Sequence, residues 1–260
     1  MSGISYIFQG RLANGECGYS ILEMELKVVS WNIWLAGDLK GIAEFVKNSG
    51  ADIIGMQEVI PEREPNIMQT IEALGYHSAF STALEVRHDG KKMGNAIFSK
   101  YPIKSQQTHI LSETKSGPTT AENERRVAVE ADIDVGGILL SVFSTHIAHA
   151  HKKPSERQLL QIESLLEVVP RGKAIVLGDF NATPQTEPIQ RMEEVLTNTD
   201  PSGAPTWSLY PAGCTVCDPQ AVDTRFDYIF TTHDLKIHSP KVESSPASDH
   251  LPVSVIVELS

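Results

Sequence analysis

The chain has 260 residues, of which 41% are hydrophobic and 21% are charged, a composition typical of a globular protein that can bury a sizeable core. The formal net charge of -11 argues against nonspecific binding to a nucleic-acid backbone, which requires a basic face. Nucleic acid is therefore disfavoured as a partner, although a metal-loaded acidic site can still act on phosphates locally. The sequence has neither a signal peptide nor an apolar segment long enough to span a membrane, so we expect a cytoplasmic protein.

The N-terminal region differs from the rest of the chain. Residues 1–24 contain several glycines and no sustained periodicity, which predicts an N-terminal extension, either a leader or an expression remnant. Residues 25–260 are expected to form one domain, because no linker or low-complexity tract divides them. Cys17, Cys214 and Cys217 do not make a disulfide framework, and a lone Cys-x-x-Cys in a Pro/Gly-rich loop predicts neither a zinc site nor a redox pair.

Apolar patterning predicts an alternation of strands and helices. Strands are predicted at Leu26–Trp31, Asp52–Glu58, His77–Ala83, Asn95–Ser99, Arg126–Asp134, Ile138–Thr145, Ala174–Leu177, Phe226–Thr231 and Val253–Leu259. Helices are predicted from Leu39 to Gly50, from Pro65 to Gly75 with Leu74 inward, from a Ser155/Gln158 capping box through Val169, and from Thr186 with Val195 and Leu196 inward.

The connections between these elements decide the fold class. Gly136-Gly137 predicts a hairpin between two strands, whereas other strands are joined by helical crossovers. Residues 199–224 predict a long Pro/Gly-rich loop, and loops of this length are usually functional or mobile. Mixed hairpins and crossovers indicate an α/β protein with two sheets sharing one core.

Polar side chains stand where several of these apolar runs stop. They are Asn32, Glu58, His146, Asp179 with Asn181, and Asp249-His250 just before the last strand. In α/β proteins, residues that leave the carboxyl ends of buried strands line the ligand crevice. Each one alone is equally well explained as a turn residue, and His146 alone would be a hydrogen-bonded core histidine. Five strand ends that each carry Asn, Asp, Glu or His are less readily explained by chance than a single one.

These residue types suit metal-assisted phosphate chemistry. Glu58, with Asp249 or Asp179, could hold Mg²⁺, which binds one or two carboxylates together with substrate phosphate. Asn32 and Asn181 would orient phosphate or water without adding charge.

A histidine beside a carboxylate has a fixed tautomer and a raised pKa, so it can serve as a general base or an electrostatic clamp. Asp227 is the natural partner for His250. No Ser or Cys occupies a nucleophile-elbow motif, which favours direct attack by water.

Seven motifs occur in one order along the chain. They are Ser30-Trp31-Asn32, Met56-Gln57-Glu58, Gly94-Asn95-Ala96-Ile97-Phe98-Ser99-Lys100-Tyr101-Pro102, Ser144-Thr145-His146, Gly178-Asp179-Phe180-Asn181, Asp227-Tyr228-Ile229 and Ser248-Asp249-His250-Leu251-Pro252. In these motifs and in their order, the chain resembles the endonuclease/exonuclease/phosphatase superfamily. The resemblance extends from about Leu26 to Leu259. The resemblance implies a four-layer α/β sandwich, in which two mixed β-sheets pack face to face and are flanked by helices, and makes residues 25–260 a catalytic domain.

The resemblance also implies residue roles in a Mg²⁺-dependent reaction, with Mn²⁺ as an alternative ion. Glu58 would be the main metal ligand, Asn32 would lie close to metal and phosphate, and Asp249 would contribute to the metal region. Asp179 and Asn181 would position water and phosphate, and His146 would bind a phosphate oxygen. Asp227 and His250 would form the acid/base pair. Asn95 is a substrate-binding candidate: nucleases of the deoxyribonuclease I type have a glutamate near this position, whereas Gly-Asn-Ala is similar to phosphatase and phosphodiesterase branches.

Other residues keep two interpretations. Arg125 or Arg126 either reaches substrate phosphate, with Arg126 the candidate, or forms a surface ion pair with Glu122 or Glu124. Trp207 and Tyr210 either line the substrate mouth or anchor their loop.

A zinc cluster at His146, His149 and His151 is disfavoured. The first two would face opposite sides of a strand, and Lys152-Lys153 would repel a cation. His149 and His151 are therefore expected to border the site or face solvent.

The sequence thus predicts a Mg²⁺-dependent phosphodiesterase or phosphatase that works by in-line attack of activated water on a phosphate ester. Its acidity favours a small or lipid-like substrate. The alternatives are a nuclease acting on single-stranded or terminal nucleic acid and a catalytically inactive scaffold with the same fold. The oligomeric state is not predicted.

Overall fold

A computed structural model describes residues 24–86, 90–114, 124–150, 154–210 and 221–260. The sequence predictions for Cys17, Cys214, Cys217, Glu122, His151, Lys152 and Lys153 lie outside the described residues, as does most of the predicted N-terminal extension. The division of the chain into an extension and a domain from residue 25 stays a prediction.

The described residues form twelve strands and four helices. The strands are β1 (Met24–Asn32), β2 (Ile53–Val59), β3 (His77–Glu85), β4 (Lys92–Ser99), β5 (Ile103–Ser112), β6 (Arg126–Val135), β7 (Ile138–His146), β8 (Ala174–Asp179), β9 (Thr197–Asn198), β10 (Asp227–Thr231), β11 (Lys236–Val242) and β12 (Val253–Leu259). The helices are α1 (Leu39–Ser49), α2 (Ile67–Glu72), α3 (Glu156–Val168) and α4 (Glu187–Glu193).

The strands make two six-stranded mixed sheets, ordered β11-β12-β1-β2-β4-β3 and β5-β6-β7-β8-β10-β9. A fully buried aliphatic cluster, which includes Val28, Leu177 and Val255, lies between the sheets. A second cluster joins α1 and α2 to the first sheet, and a third joins α3 and α4 to the second sheet. The predicted four-layer sandwich is therefore confirmed.

Two parallel strand pairs determine where the polar strand ends meet. In the first sheet β1 runs parallel to β2, with Asn32 opposite Gln57. In the second sheet β7 runs parallel to β8, with His146 opposite Asp179. Since parallel strands end at the same edge of a sheet, both pairs deliver their polar residues to one side of the sandwich.

Helix ends follow from local capping chemistry. The Ser155 hydroxyl accepts from the backbone of Gln158, whose side chain accepts from the Ser155 backbone, so the predicted capping box is confirmed. Gly50 ends α1 in the left-handed conformation, with φ of 69°.

Several element predictions were wrong. Strands β5, β9 and β11 were not predicted, because they lie at or near sheet edges and lack the apolar alternation that marks a half-buried strand. Leu74 and Val195 were assigned to inward helix faces, but each is 40% exposed, because α2 and α4 end before reaching them.

No helix within the described ranges is long and apolar enough to cross a membrane.

Gly55 of β2 faces Leu177 of β8 across the inter-sheet core. A Cβ at this position would lie 2.7 Å from Leu177 Cδ1 and 2.9 Å from Leu177 Cβ, across the inter-sheet core. We expect Gly55→Ala to lower the free energy of unfolding by about 1–3 kcal/mol through overpacking, measured by urea denaturation. Gly172→Ala is the matched control, since its Cβ would meet only Asp234 Oδ2 at 3.6 Å, and it should change stability by less than about 0.5 kcal/mol. Equal effects of the two substitutions would contradict this account of the core.

Candidate active site

The side-chain amide of Asn32 connects the two sheets at their common edge. Its Nδ2 donates to Glu58 Oε1 at 3.1 Å and to Asp179 Oδ2 at 2.9 Å. Asn32 ends β1 and Glu58 lies near the end of β2 in one sheet, whereas Asp179 ends β8 in the other. The structure therefore brings together predicted site residues from both sheets.

The Glu58 carboxylate is aimed into this edge by an irregularity in β2. The pairing of β2 with β4 shifts register between Met56 and Val59, and Glu58 has a φ of 59°. Such a bulge re-aims a side chain, and a left-handed non-glycine residue stores strain that is common at functional sites. Burial, followed by the nearby charge of Asp249, raises the pKa of Glu58, so its negative charge is poorly compensated by protein alone.

Asn181, just after β8, organises two histidines. Its Nδ2 donates to the Ile147 carbonyl at 3.0 Å, and this acceptor fixes the orientation of the amide. The same Nδ2 lies 3.0 Å from His146 Nε2, so that nitrogen must accept and the His146 proton lies on Nδ1. Asn181 Oδ1 accepts from His149 Nδ1 at 2.7 Å. The residue also has a left-handed φ of 49°.

His146 is held in the neutral form. Burial, followed by the charge of Arg126, keeps its pKa well below the ordinary value for histidine. Its Nε2 lies 3.4 Å from Asp179 Oδ2 and accepts from the Asn181 amide. A contact between Nε2 and a phosphate oxygen would require a proton on that nitrogen, so the phosphate-binding role of His146 stays a prediction.

His250 has the opposite electrostatic environment. Its Nδ1 is 2.9 Å from Asp227 Oδ2, and its Nε2 is 3.7 Å from Asp179 Oδ2. Burial by itself lowers the pKa of His250, but the charges of Asp227 and Asp179 outweigh burial and raise it. The imidazole is therefore protonated, and it faces carboxylates on both sides.

Asp227 is oriented by Thr206, which the sequence analysis did not identify as a site residue. The Thr206 hydroxyl donates to Asp227 Oδ2 at 2.6 Å, in addition to the His250 contact. Asp227 Oδ1 is buried and has no hydrogen-bond partner among the described residues. The segment that carries His250 is fixed as well, because Ser248 Oγ donates to the Asn32 carbonyl at 2.7 Å and Trp31 Nε1 donates to the His250 carbonyl at 2.9 Å.

A family comparison covers the part of the chain that forms this site. The sequence model of the endonuclease/exonuclease/phosphatase family matches residues 29–250, which include every candidate site residue named above. The chain belongs to the endonuclease/exonuclease/phosphatase family. No curated protein sequence matches the chain.

Solved structures share the family fold at low sequence identity. An endonuclease/exonuclease/phosphatase from Beutenbergia cavernae DSM 12333 is 23% identical, with a TM-score of 0.73 over 91% of this chain and 72% of that one. The mannosyl-6-phosphatase Bt3783 of Bacteroides thetaiotaomicron VPI-5482 is 20% identical, with a TM-score of 0.67 over 89% and 99%. ANGEL2, a 2',3'-cyclic phosphatase, is 16% identical, with a TM-score of 0.70 over 91% and 96%. At these identities the similarity establishes the fold alone.

Two neighbouring sets of residues could hold a metal ion. One is the predicted set around Glu58, Asn32 and Asp249, which offers oxygen ligands. The other is Asp179, Asp227 and His250, whose ligand atoms lie within 4.8 Å of one another. We favour the first set for Mg²⁺, because it offers only oxygen ligands, whereas the second set includes an imidazole nitrogen.

Several predicted residues lie near the site in supporting positions. Asn95 is buried and donates to the Val127 carbonyl at 2.8 Å, a contact between β4 and β6 of opposite sheets. Arg126 is buried and lies 3.5 Å from Glu124. Burial lowers the pKa of Arg126, and the charges of Glu124, Glu58 and Asp179 oppose this shift. The ion pair with Glu124 is thus present but is not a surface pair. The substrate-binding roles of Asn95 and Arg126 stay predictions.

His149 was predicted to border the site or face solvent, and its contact with the Asn181 amide was not anticipated. The reasoning that placed it opposite His146 on a strand was wrong, because β7 ends at His146. Gln158 was also missed as a site support: its side chain donates to the carbonyls of Ala148 at 2.9 Å and Asn181 at 2.8 Å. Its capping-box motif was visible in the sequence, but nothing local indicated where its amide nitrogen points.

The charge on His250 can be tested in metal-free protein. We expect the His250 ring protons to titrate with a midpoint well above that of an ordinary histidine, and Asp227→Asn to lower this midpoint by at least about one unit, because one adjacent negative charge is lost. NMR titration of the ring Cε1 proton measures both values. Asp132→Asn, on the distant half of β6, is the control and should leave the midpoint unchanged. An unaltered midpoint in Asp227→Asn would refute the proposed pairing.

Proposed function

We propose that the protein is a Mg²⁺-dependent phosphoesterase, either a phosphatase or a phosphodiesterase, in which water attacks phosphorus in line with the leaving oxygen. The observation that carries the proposal is the double hydrogen bond of Asn32 to Glu58 and Asp179, around which a neutral and a charged histidine are placed. A purely structural edge would have no need to bring the half-buried Glu58 and the buried Asp179 together, since each carboxylate carries a desolvation cost.

The donor set fits a hard divalent cation. The charge of Asp249 adds to the effect of burial in raising the pKa of Glu58, so the two carboxylates lie near each other. Asn32 adds a neutral amide. Oxygen ligands from one or two carboxylates are what Mg²⁺ takes while it keeps water and substrate phosphate, and Mn²⁺ can replace it. When bound there, the cation would neutralise charge on the phosphoryl group and on the leaving oxygen.

The residues of the chain would divide the remaining work. Asp179 and Asn181 would hold the attacking water, and burial raises the pKa of Asp179 towards the range of a useful general base. The His250 imidazolium would bind a phosphoryl oxygen and stabilise the charge that develops on it, with Asp227 keeping the ring oriented. Arg126 would add positive charge from the base of the site.

A small phosphate ester suits the molecule better than a nucleic-acid polymer. The net charge of -11 disfavours a polyanion, and two structural neighbours carry the names of a mannosyl-6-phosphatase and a 2',3'-cyclic phosphatase. A nuclease that acts on single strands or ends is the alternative, and faster hydrolysis of short single-stranded DNA than of mononucleotide esters would identify it. An inactive scaffold is disfavoured because Asn32, Glu58, Asp179, Asn181, Asp249 and His250 are all present, and a decayed site has no reason to keep them. A cytoplasmic location stays part of the proposal.

Hydrolysis of a chromogenic bis-aryl phosphate tests the proposal. We expect activity with Mg²⁺ or Mn²⁺ that EDTA abolishes, and Glu58→Ala and His250→Ala should each lower turnover at least about a hundredfold, the usual scale for loss of a metal ligand or an acid/base group.

The chain offers a matched control for this pair. Glu25 and His238 form an exposed carboxylate–imidazole contact of 3.2 Å between β1 and β11, on the surface of the first sheet. Glu25→Ala and His238→Ala remove the same groups, and both should keep the wild-type rate. If the two site variants stay folded by circular dichroism and keep full activity, the assignment of the site is wrong.

A further inference from the structure

Three apolar side chains are exposed beside the carboxylates of the site. Trp34, Leu35 and Tyr210 form what we call the aromatic ledge. Leu35 is 45% exposed and Tyr210 is 39% exposed, whereas Trp34 is half-buried. The rings of Trp34 and Tyr210 stack on each other with centroids 6.2 Å apart and an interplanar angle of 29°. Water-exposed aromatic and aliphatic groups that are grouped in this way commonly mark a ligand contact.

The ledge is joined directly to the predicted metal ligands. The backbone N–H of Trp34 donates to Asn32 Oδ1 at 3.0 Å, and that of Leu35 donates to Glu58 Oε2 at 2.8 Å. On the other side, the residue before Tyr210 donates its backbone N–H to the Asp249 carbonyl at 2.6 Å. The ledge therefore borders the site that would bind the phosphoryl group, at the position where the organic part of a substrate must extend.

The backbone beneath the ledge is held firmly. Arg63 donates to the Leu35 carbonyl at 2.7 Å and to the Gly37 carbonyl at 3.0 Å. A Cβ on Gly37 would lie 2.1 Å from the Ile33 carbonyl oxygen, so only glycine fits this turn. Trp34 has a left-handed φ of 54°, a strained conformation that the surrounding bonds must maintain. A rigid exposed apolar surface loses little entropy when a ligand covers it.

We infer that the aromatic ledge binds the organic group that remains on phosphorus and selects phosphate esters in which this group carries a planar aromatic ring, such as a nucleobase. This assignment rests on the proposed phosphoesterase function and narrows its substrate class. Flat rings stack on aromatic side chains regardless of their exact hydrogen-bonding pattern. A sugar ring would instead need directed polar groups, and the Tyr210 hydroxyl is already engaged in donating to the Pro246 carbonyl.

Two diesters with one leaving group isolate the contribution of the ledge. Thymidine 5'-(4-nitrophenyl phosphate) and methyl 4-nitrophenyl phosphate both release 4-nitrophenolate when water attacks phosphorus, and they differ only in the group that remains on phosphorus. We expect wild-type kcat/KM with Mg²⁺ to be at least about tenfold higher for the thymidine ester, the scale of one stacked base. Trp34→Ala and Tyr210→Ala should each reduce this ratio at least about fivefold, because the stacking surface is lost.

Matched variants separate stacking from damage to the site. Tyr210→Phe keeps the ring and should keep the ratio. Leu35→Ala should lower the ratio, whereas Leu139→Ala, which removes a leucine that is 54% exposed at a distant hairpin, should not. A loss that is equal for both esters in the ledge variants would mean that they only disturb Glu58, and it would overturn the assignment.

Three further outcomes are also decisive. Absence of metal-dependent turnover with either diester and with the monoester 4-nitrophenyl phosphate would refute the proposed function itself, and the ledge assignment with it. Turnover of both esters at equal efficiency, unchanged by the ledge variants, would refute the ledge assignment alone. Cosedimentation with phosphatidylcholine vesicles that depends on Trp34 and Tyr210 would identify the ledge as a membrane contact instead, and would likewise overturn the assignment.

Discussion

The site depends on one neutral amide placed between two carboxylates, of which Asp179 is buried and Glu58 is half-buried. Asn32 donates from a single nitrogen to Glu58 of its own sheet and to Asp179 of the facing sheet. A carboxylate at position 32 would add a third negative charge, and an aliphatic side chain would leave both acids without this donor. Only an amide presents two protons and no charge here. The two carboxylates can therefore stay close together and present the negative charge that binds a divalent cation. That cation in turn would bind the phosphate ester.

Strand topology makes this contact possible. Because β1 and β2 are parallel in one sheet and β7 and β8 are parallel in the other, four strand ends meet at the same side of the sandwich. The sheets must also lie close together, and Gly55 permits this by leaving the space that Leu177 fills. The inter-sheet core thus fixes the distance across which Asn32 reaches Asp179.

Residue types at strand ends could be predicted from the sequence, but their partners could not. Apolar runs such as those of β1 and β8 are buried on both faces and are recognisable without a structure, whereas the polar edge strand β5 is not. Asn32 and Asp179 were found because each interrupts such a run. Thr206 and His149 were not assigned their contacts, because those contacts depend on loop paths that carry no periodic signal.

The two histidines illustrate why residue type alone does not define a role. His146 lies beside Arg126 and is neutral, whereas His250 lies between Asp227 and Asp179 and is charged. The raised pKa of His250 was predicted from its pairing with Asp227, whereas the lowered pKa of His146 was not, since it depends on burial and on Arg126, which is remote along the chain. Opposite protonation states within one site are what acid/base chemistry at neutral pH requires.

The segment after β1 combines a strained backbone with the proposed contact to the organic group of the substrate. Of the five described non-glycine residues with a left-handed φ, Trp34, Glu58 and Asn181 belong to the site or its border. The backbone N–H groups of Trp34 and Leu35 donate hydrogen bonds to the side chains of Asn32 and Glu58. A ring that packs on Trp34 or Leu35 therefore acts on the same backbone that orients Asn32 and Glu58. Binding of the organic group and alignment of the phosphate are therefore mechanically linked. Such a link lets contacts remote from phosphorus contribute to the rate of the reaction as well as to affinity.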